Sequence, residues 1–297
     1  MGIAAGLKTI VVATDLKGRS EAALEYARKL AGAYGARIVL AHGLDPLEYA
    51  AVEGLPGGVL QGLTEEARAA LGKMTGDLIR EGIHSHSEVR QGAVAQMLVD
   101  VARQYEAGLI VVGTKGNRGA GAVAVGAVAE QVVRMAPCAV LAVAADWNAG
   151  PNRPVPGGPV LLAMERNEAM QAAVATACSL AVTFQRTLLV VHARGSVQAA
   201  ADPCAGTLEE FGIKAEGAFP VRCLVKDGNP ADAIAAAIEE NHPSILVAGV
   251  KRASQTPGPH GTAFALLTRS RVPVLCVPPE PDSAVQEREG HELEVVV

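Results

Sequence analysis

Short all-apolar runs alternate with alanine- and leucine-rich stretches at helical spacing, and the alternation occurs twice along the chain. Thr9 to Thr14 is a β-rich run ended by Asp15. Ser20 to Tyr34 then sets Ala23, Tyr26, Ala27 and Leu30 on one helical face, and Gly35 closes the helix as a C-cap would. Arg37 to His42 reads as a second strand, followed by a loop containing Leu55-Pro56-Gly57-Gly58. The next helix spans about Thr64 to Glu81, with Thr64 placed as N-cap. Ser87-Glu88-Val89 ends a third strand, Ala93 to Tyr105 is a helix, and Leu109 to Val112 is a buried strand. A glycine-studded loop from Gly113 to Gly126 opens a helix that ends at Met135, and Ala139 to Val143 is the last strand of the set.

The order then restarts. Val160 to Met164 is a strand ended by Glu165, Asn167 to Phe184 a helix, and Thr187 to His192 a strand ending in His as its counterpart did. A stub helix is expected at Leu208 to Phe211, then a strand at Val221 to Val225. Pro230 to Glu240 is a helix with Pro in its first turn, followed by the strand Ile245 to Ala248 and Gly249. A short helix and Val274 to Val277 complete the set. Strand and helix in strict alternation predict an α/β fold, with short apolar strands in a parallel sheet covered on both faces. Asp146 to Pro159 holds four prolines and three glycines, which marks a boundary. The expected division is a first domain at 1–147, a linker at 148–158, a second domain at 159–279 and a charged, disordered tail at 280–297. Each domain is an open parallel sheet of about five strands.

Composition narrows the function. Of 297 residues, 49% are hydrophobic and only 3% aromatic, so the cores are built from Ala, Val, Leu and Ile. A net charge of −5 without a long Lys/Arg run argues against nucleic acid or an anionic membrane as partner. Cys138, Cys178, Cys204, Cys223 and Cys276 are widely spaced, as in a reduced cytoplasmic chain rather than a disulfide framework or zinc site. The first residues lack a signal-peptide pattern, and no apolar run reaches the ~18–20 residues of a membrane helix. A dinucleotide fingerprint is missing after the first strand, as are a P-loop and a nucleophile elbow. His84 and His86 could share a strand face, but no third metal ligand accompanies them.

Chemistry concentrates after the fourth strand. Gly113-Thr114-Lys115-Gly116 lies at a carboxyl end in the parallel sheet, where ligand crevices form. Nine residues later Gly126-Ala127-Val128 opens a helix whose first N–H groups and dipole suit an anion. A glycine-rich connecting turn is the plainer reading.

This G-x-x-G, nine residues, G-[ST] order resembles the ATP-binding motif of the universal stress protein family. Thr14-Asp15 after the first strand, Gln91-Gly92, Ala107-Gly108-Leu109-Ile110-Val111-Val112-Gly113 and Ala136-Pro137-Cys138-Ala139-Val140-Leu141 fit the same pattern. The resemblance covers residues 7–145 well and 158–278 loosely, and identifies a tandem arrangement. It implies a Rossmann-like, adenine-nucleotide alpha-hydrolase-like fold in each domain. It also implies a site in the first. Asp15 would accept from the adenine amino group beside the backbone of Ala13 and Thr14, with Gly43 by the adenine where the family usually has Val. Val112, Gly113 and Gly116 would border ribose and phosphates, with Lys115 adding a charge. Gly126, Ala127 and Val128 would present N–H groups to the phosphates, with Mg²⁺ as companion. The plainer role for Asp15 is a helix N-terminal carboxylate.

This chain departs from that pattern at Ala127, where ATP-binding members carry Ser or Thr. Losing one neutral hydrogen bond of ~0.5–1.5 kcal/mol weakens affinity about threefold to tenfold. The second half departs further. Glu165 replaces the Asp, Arg252 stands at the second Gly position, and Pro257, Pro259 and His260 stiffen a loop two residues shorter. Its site is expected to be empty. The function implied is a regulatory module, not a fast enzyme, whose ATP alters association with a protein partner; a nucleotide-free interaction module is the alternative. An enzyme acting on an adenylated substrate lacks a visible acid or base. Family members commonly dimerise along the last strand, so Val140 to Val143 would lie against Val274 to Val277 within one chain, which leaves further pairing into a homodimer open.

Overall fold

The computed structural model of the chain describes residues 3, 6–18, 20–46, 58–114, 126–147, 157–165, 168–194, 219–251, 262–270 and 272–280. Its strands are β1 (Thr9–Ala13), β2 (Arg37–Leu44), β3 (Ser85–Gln91), β4 (Leu109–Thr114), β5 (Ala139–Ala144), β6 (Val160–Met164), β7 (Leu188–Arg194), β8 (Val221–Asp227), β9 (Ile245–Gly249) and β10 (Val274–Val277). The helices are α1 (Glu21–Tyr34), α2 (Val59–Arg80), α3 (Val94–Gln104), α4 (Ala127–Met135), α5 (Met170–Thr183), α6 (Pro230–Asn241) and α7 (Thr262–Arg269). All ten strands form one sheet, in the order β3-β2-β1-β4-β5-β10-β9-β6-β7-β8. The fold is α/β with a mostly parallel sheet.

Strand alternation sends neighbouring residues to opposite faces. Ile10, Val12, Ile38 and Leu40 point toward α1, α2 and α5, and all are sealed from solvent. Val11, Val39 and Ala41 point the other way, into a second core with α3, α4, α6 and α7. This double burial explains why the strands read as continuous apolar runs. The outermost strands β3 and β8 instead carry charged side chains such as Glu88, Arg90, Arg222 and Lys226. Such charges discourage edge pairing with another chain.

The described pairings are all parallel but one. Val274, Leu275 and Cys276 of β10 lie antiparallel to Ala142, Leu141 and Val140 of β5. Helices brace this junction from both sides. On one face the Tyr34 hydroxyl sits 3.3 Å from that of Ser179 on α5, and its ring meets Phe184 edge-on. Tyr26 packs edge-on against Trp147 and its hydroxyl donates to the Ser244 carbonyl at 3.4 Å. On the other face the Arg134 guanidinium stands 4.8 Å above the Phe264 ring. Cys276 is buried in the junction and Cys138 just before it; burial pushes both thiols up to about 12.

Several elements differ from the expectations. Thr64 does not cap α2; the helix starts at Val59, and the Thr64 hydroxyl donates to the Leu60 carbonyl from within it. Gly58, in the left-handed region, heads that helix. Gly113 and Thr114 belong to β4 rather than to a loop, because β5 extends to Ala144 and pairs with them. His84 directly precedes β3 and its carbonyl accepts from the Ile38 N–H at 2.8 Å, so it continues the exposed face of His86, which packs against Tyr105. The expected stub helix at 208–211, Cys204 and the tail from 281 lie outside the described residues, as does most of the 148–158 linker.

Two glycines are required by packing. A Cβ on Gly158 would run into the His242 carbonyl oxygen as the chain enters β6. A Cβ on Gly43 would stand 2.9 Å from Met97 Cε and 3.0 Å from Val94 Cγ2, so α3 sits against bare backbone there.

At the sheet edge the Tyr105 hydroxyl donates to Glu88 at 2.6 Å and Arg90 adds an ion pair at 3.2 Å. Burial works to raise the Glu88 pKa, but the hydrogen bonds from Tyr105 and Arg90 outweigh it and hold the carboxyl below its usual range. Burial first, and then the Glu88 carboxylate, push the Tyr105 phenol up to about 12.

Three outcomes are expected. Gly43→Val should cost about 1–3 kcal/mol in urea unfolding through overpacking, and Met97→Ala should recover part of it. Glu88→Gln should cost about 1 kcal/mol at neutral pH. A depressed carboxyl stabilises the fold above its unfolded pKa and loses that contribution as pH falls through the folded value, so the gap to the parent should close below about pH 4. A thiol reagent at about pH 8 should leave Cys138 and Cys276 unlabelled until urea is added, as read by mass spectrometry of peptides.

Candidate functional site

The chain leaves β1 toward β2 and β3 on one side, then returns to β4 and β5 on the other. The crevice between the carboxyl ends of β1 and β4 is therefore a topological switch point, where open α/β sheets take ligands. Ala13 ends β1, with Thr14 and Asp15 just beyond it. Gly43 lies near the end of β2, and Val112 and Gly113 near the end of β4. Gly126 is the N-cap of α4, followed by Ala127 and Val128 in its first turn. Lys115 and Gly116 lie outside the described residues.

The turn after β1 is held by a closed hydrogen-bond network. Ser20 donates its hydroxyl hydrogen to Asp15 Oδ1 at 3.1 Å and accepts from the Asp15 N–H at 3.3 Å. Because that hydrogen is committed, the Thr14 hydroxyl donates to Ser20 Oγ across 3.0 Å. Thr14 Oγ1 accepts in turn from the Leu16 N–H at 3.2 Å, and Asp15 Oδ1 from the Lys17 N–H at 3.1 Å. Leu16 adopts a positive φ of 53° within this turn. His42 ties the turn to β2, since its Nδ1–H can only donate to the Thr14 carbonyl 2.8 Å away. Asp15 is thus both a turn-forming carboxylate and a fixed acceptor at the rim of the crevice. Ser20 was not among the expected site residues, although a hydroxyl six positions after Thr14 at a helix start was the available signal.

The start of α4 differs from that of α6. Gly126 has an extended backbone (φ −69°, ψ 144°) and no side chain to cap the helix. The first intrahelical bond runs from Glu130 N–H to the Gly126 carbonyl, so the N–H groups before it have no intrahelical acceptor. A Cβ on Gly126 would meet nothing within 4 Å among the described residues. Neither its backbone conformation nor packing against the described residues therefore requires glycine there. At α6 the first turn is closed instead, because Asn229 Oδ1 accepts from the Ala231 N–H at 2.9 Å and Pro230 has no N–H.

In the second half the corresponding ends bring together Met164, Glu165, His192 and Ala193. Glu165 is exposed where Asp15 is half-buried. His192 Nδ1 is buried without the partner that His42 has. Among the described residues no three His, Cys, Asp or Glu side chains cluster as a metal site, and no helix is long and apolar enough to cross a membrane.

Comparison with known proteins places this architecture. The universal stress protein family model matches residues 6–144. A universal stress protein of Methanocaldococcus jannaschii is 33% identical over 138 residues, which cover 46% of this chain and 81% of that protein. One from Thermus aquaticus is 30% identical over 139 residues, covering 46% of this chain and 98% of that protein. The crystal structure of a universal stress protein from Archaeoglobus fulgidus aligns with 91% of this chain and 98% of its own, with a TM-score of 0.75 at 19% identity, so the shared fold extends through both halves. By sequence and by fold, the chain belongs to the universal stress protein family.

Proposed function

We propose that the first half, residues 1–147, binds ATP or a related adenine nucleotide and serves as a regulatory module, with a second domain at 159–279 paired to it. Gly126 carries this reading. It is a glycine that neither its backbone conformation nor packing against the described residues requires, at the head of a helix with no side-chain cap beside the switch point. A glycine in such a place lets phosphate oxygens approach backbone N–H groups closely.

The residues expected at the site would divide the ligand among them. Ala127 and Val128 would offer their N–H groups to the phosphates together with Gly126, and Lys115 its charge. Gly113, Gly116 and Val112 would border the ribose and phosphates. Asp15, already oriented by Ser20 and Lys17, would accept from the base beside Ala13, Thr14 and Gly43. Gly43 would act only through its backbone, since helix packing accounts for its missing side chain. A bound nucleotide supplies charge and bulk at the crevice, and Mg²⁺ would accompany its phosphates. No described group is placed as a general base, which favours a signalling output through a protein partner over turnover.

Calorimetric titration of nucleotide-stripped protein with ATP and Mg²⁺ tests the proposal, alongside Gly126→Asp. Asp is a favoured N-cap with room for its side chain, so this variant should keep or slightly raise the thermal midpoint. Its carboxylate would occupy the N–H groups and repel phosphate, weakening ATP about tenfold or more. Equal binding by parent and variant would remove α4 from the site. No binding at millimolar ATP would leave a nucleotide-free interaction module.

A further inference from the structure

The chain leaves the first half at Trp147 and enters the second at Pro159, and one side chain of α1 holds both points. Tyr26 packs edge-on against Trp147, with ring centroids 5.4 Å apart. Its hydroxyl donates to the Ser244 carbonyl at 3.4 Å. Ser244 in turn gives its N–H, at 2.9 Å, and its hydroxyl, at 3.3 Å, to the Pro159 carbonyl at the entry to β6. Burial pushes the Tyr26 phenol up, which keeps its hydroxyl a donor. Lys29, one turn further along α1, stands 4.8 Å above the Trp147 ring. Both ends of the connection between the halves are therefore anchored to Tyr26, one directly and one through Ser244.

The same helix starts at the turn beside the first crevice. Ser20 is the buried N-cap of α1, and its hydroxyl holds the Asp15 carboxylate. Its carbonyl accepts from the Leu24 N–H at 3.0 Å, which ties it into the first turn of the helix. About 9 Å of helix rise separates Ser20 from Tyr26. Over so short a span a helix moves as a stiff body, so a shift at one of these residues displaces the other.

We propose that α1 is a coupling element: drawing the Asp15 carboxylate off Ser20 shifts α1, and Tyr26 passes that shift to the crossing between the halves. A group in the first crevice that donates to Asp15 competes with the Ser20 hydroxyl for the carboxylate. In the seated arrangement Ser20 holds Asp15 and Tyr26 holds Ser244. In the released arrangement both contacts lengthen together. Such coupling acts in both directions.

The test uses the full chain, first without ligand. It reads the emission of Trp147, the single tryptophan, and hydrogen exchange in segments 158–164 and 243–249. Ser20→Ala should shift the emission and speed exchange in both segments about threefold to tenfold. Ser20→Thr keeps the hydroxyl and should retain the parent values. Asp15→Ala removes the acceptor instead of the donor and should act as Ser20→Ala does; thermal midpoints report whether each variant folds. Glu88→Gln, on the edge strand β3, controls for lost stability and should move neither signal. Tyr26→Phe cuts the bond to Ser244, so adding Ser20→Ala to it should no longer speed exchange in the second half. ATP with Mg²⁺ should shift the emission of the parent as Ser20→Ala does. That arm alone rests on nucleotide binding by the first half, and calorimetry on the same sample shows whether ATP is bound. Parent-like emission and exchange in Ser20→Ala or Asp15→Ala, an equal change in Glu88→Gln, a full effect of Ser20→Ala in the Tyr26→Phe background, or bound ATP that leaves the emission unmoved would each overturn the proposal.

Discussion

Between Val140 and Ala142 on β5 and Val274 and Cys276 on β10, two five-stranded half-sheets share backbone hydrogen bonds. Without this ladder each half would end in a bare edge whose side chains are wholly apolar. Such an edge is an invitation to pair with another chain. Joining the two removes both edges at once and leaves the charged strands β3 and β8 at the rims. The aromatic contacts of Tyr26 and Tyr34 and the Arg134–Phe264 contact then fix the helical layers across the seam. Inert thiols beside the seam suit this role, since a thiolate there would be unpaired in an apolar core.

The two halves show how one chain plan yields two different crevices. Strand order, a histidine two residues before the end of the second strand of each half and the positive-φ glycine directly after each edge strand are retained. What changes is the turn after the first strand. The first crevice has a helix without a side-chain cap, headed by Gly126, and a carboxylate held by Ser20. In the second half an exposed Glu165 stands where the first has that held carboxylate.

Much of the fold was legible in the sequence because double burial makes strands conspicuous. Val160–Met164 and Val274–Val277 match their expected limits, since turn residues bound them closely. Thr64 misled because a good capping residue within an amphipathic helix looks like its start, while the true start at Gly58 follows a loop with no periodic signal. β4 ran longer than expected because Gly113 reads as a loop residue, and only pairing with β5 keeps it extended. At the candidate site, Thr14, Asp15, Gly126 and their neighbours could be picked out from spacing and resemblance. Ser20 had a local signal as a hydroxyl at a helix start, whereas Met97 had none, because its role arises from a contact between elements that a linear pattern does not relate.

The antiparallel junction has a directional consequence. Every strand of the first half runs parallel to β5, and every strand of the second half parallel to β10. The carboxyl ends of the two half-sheets therefore face opposite ends of the molecule. A surface that docks over one crevice stands at the far end from the other, so a single small partner cannot read both. Communication between them would have to cross the junction, through the residue pairs that join β5 to β10 and the helix contacts beside them.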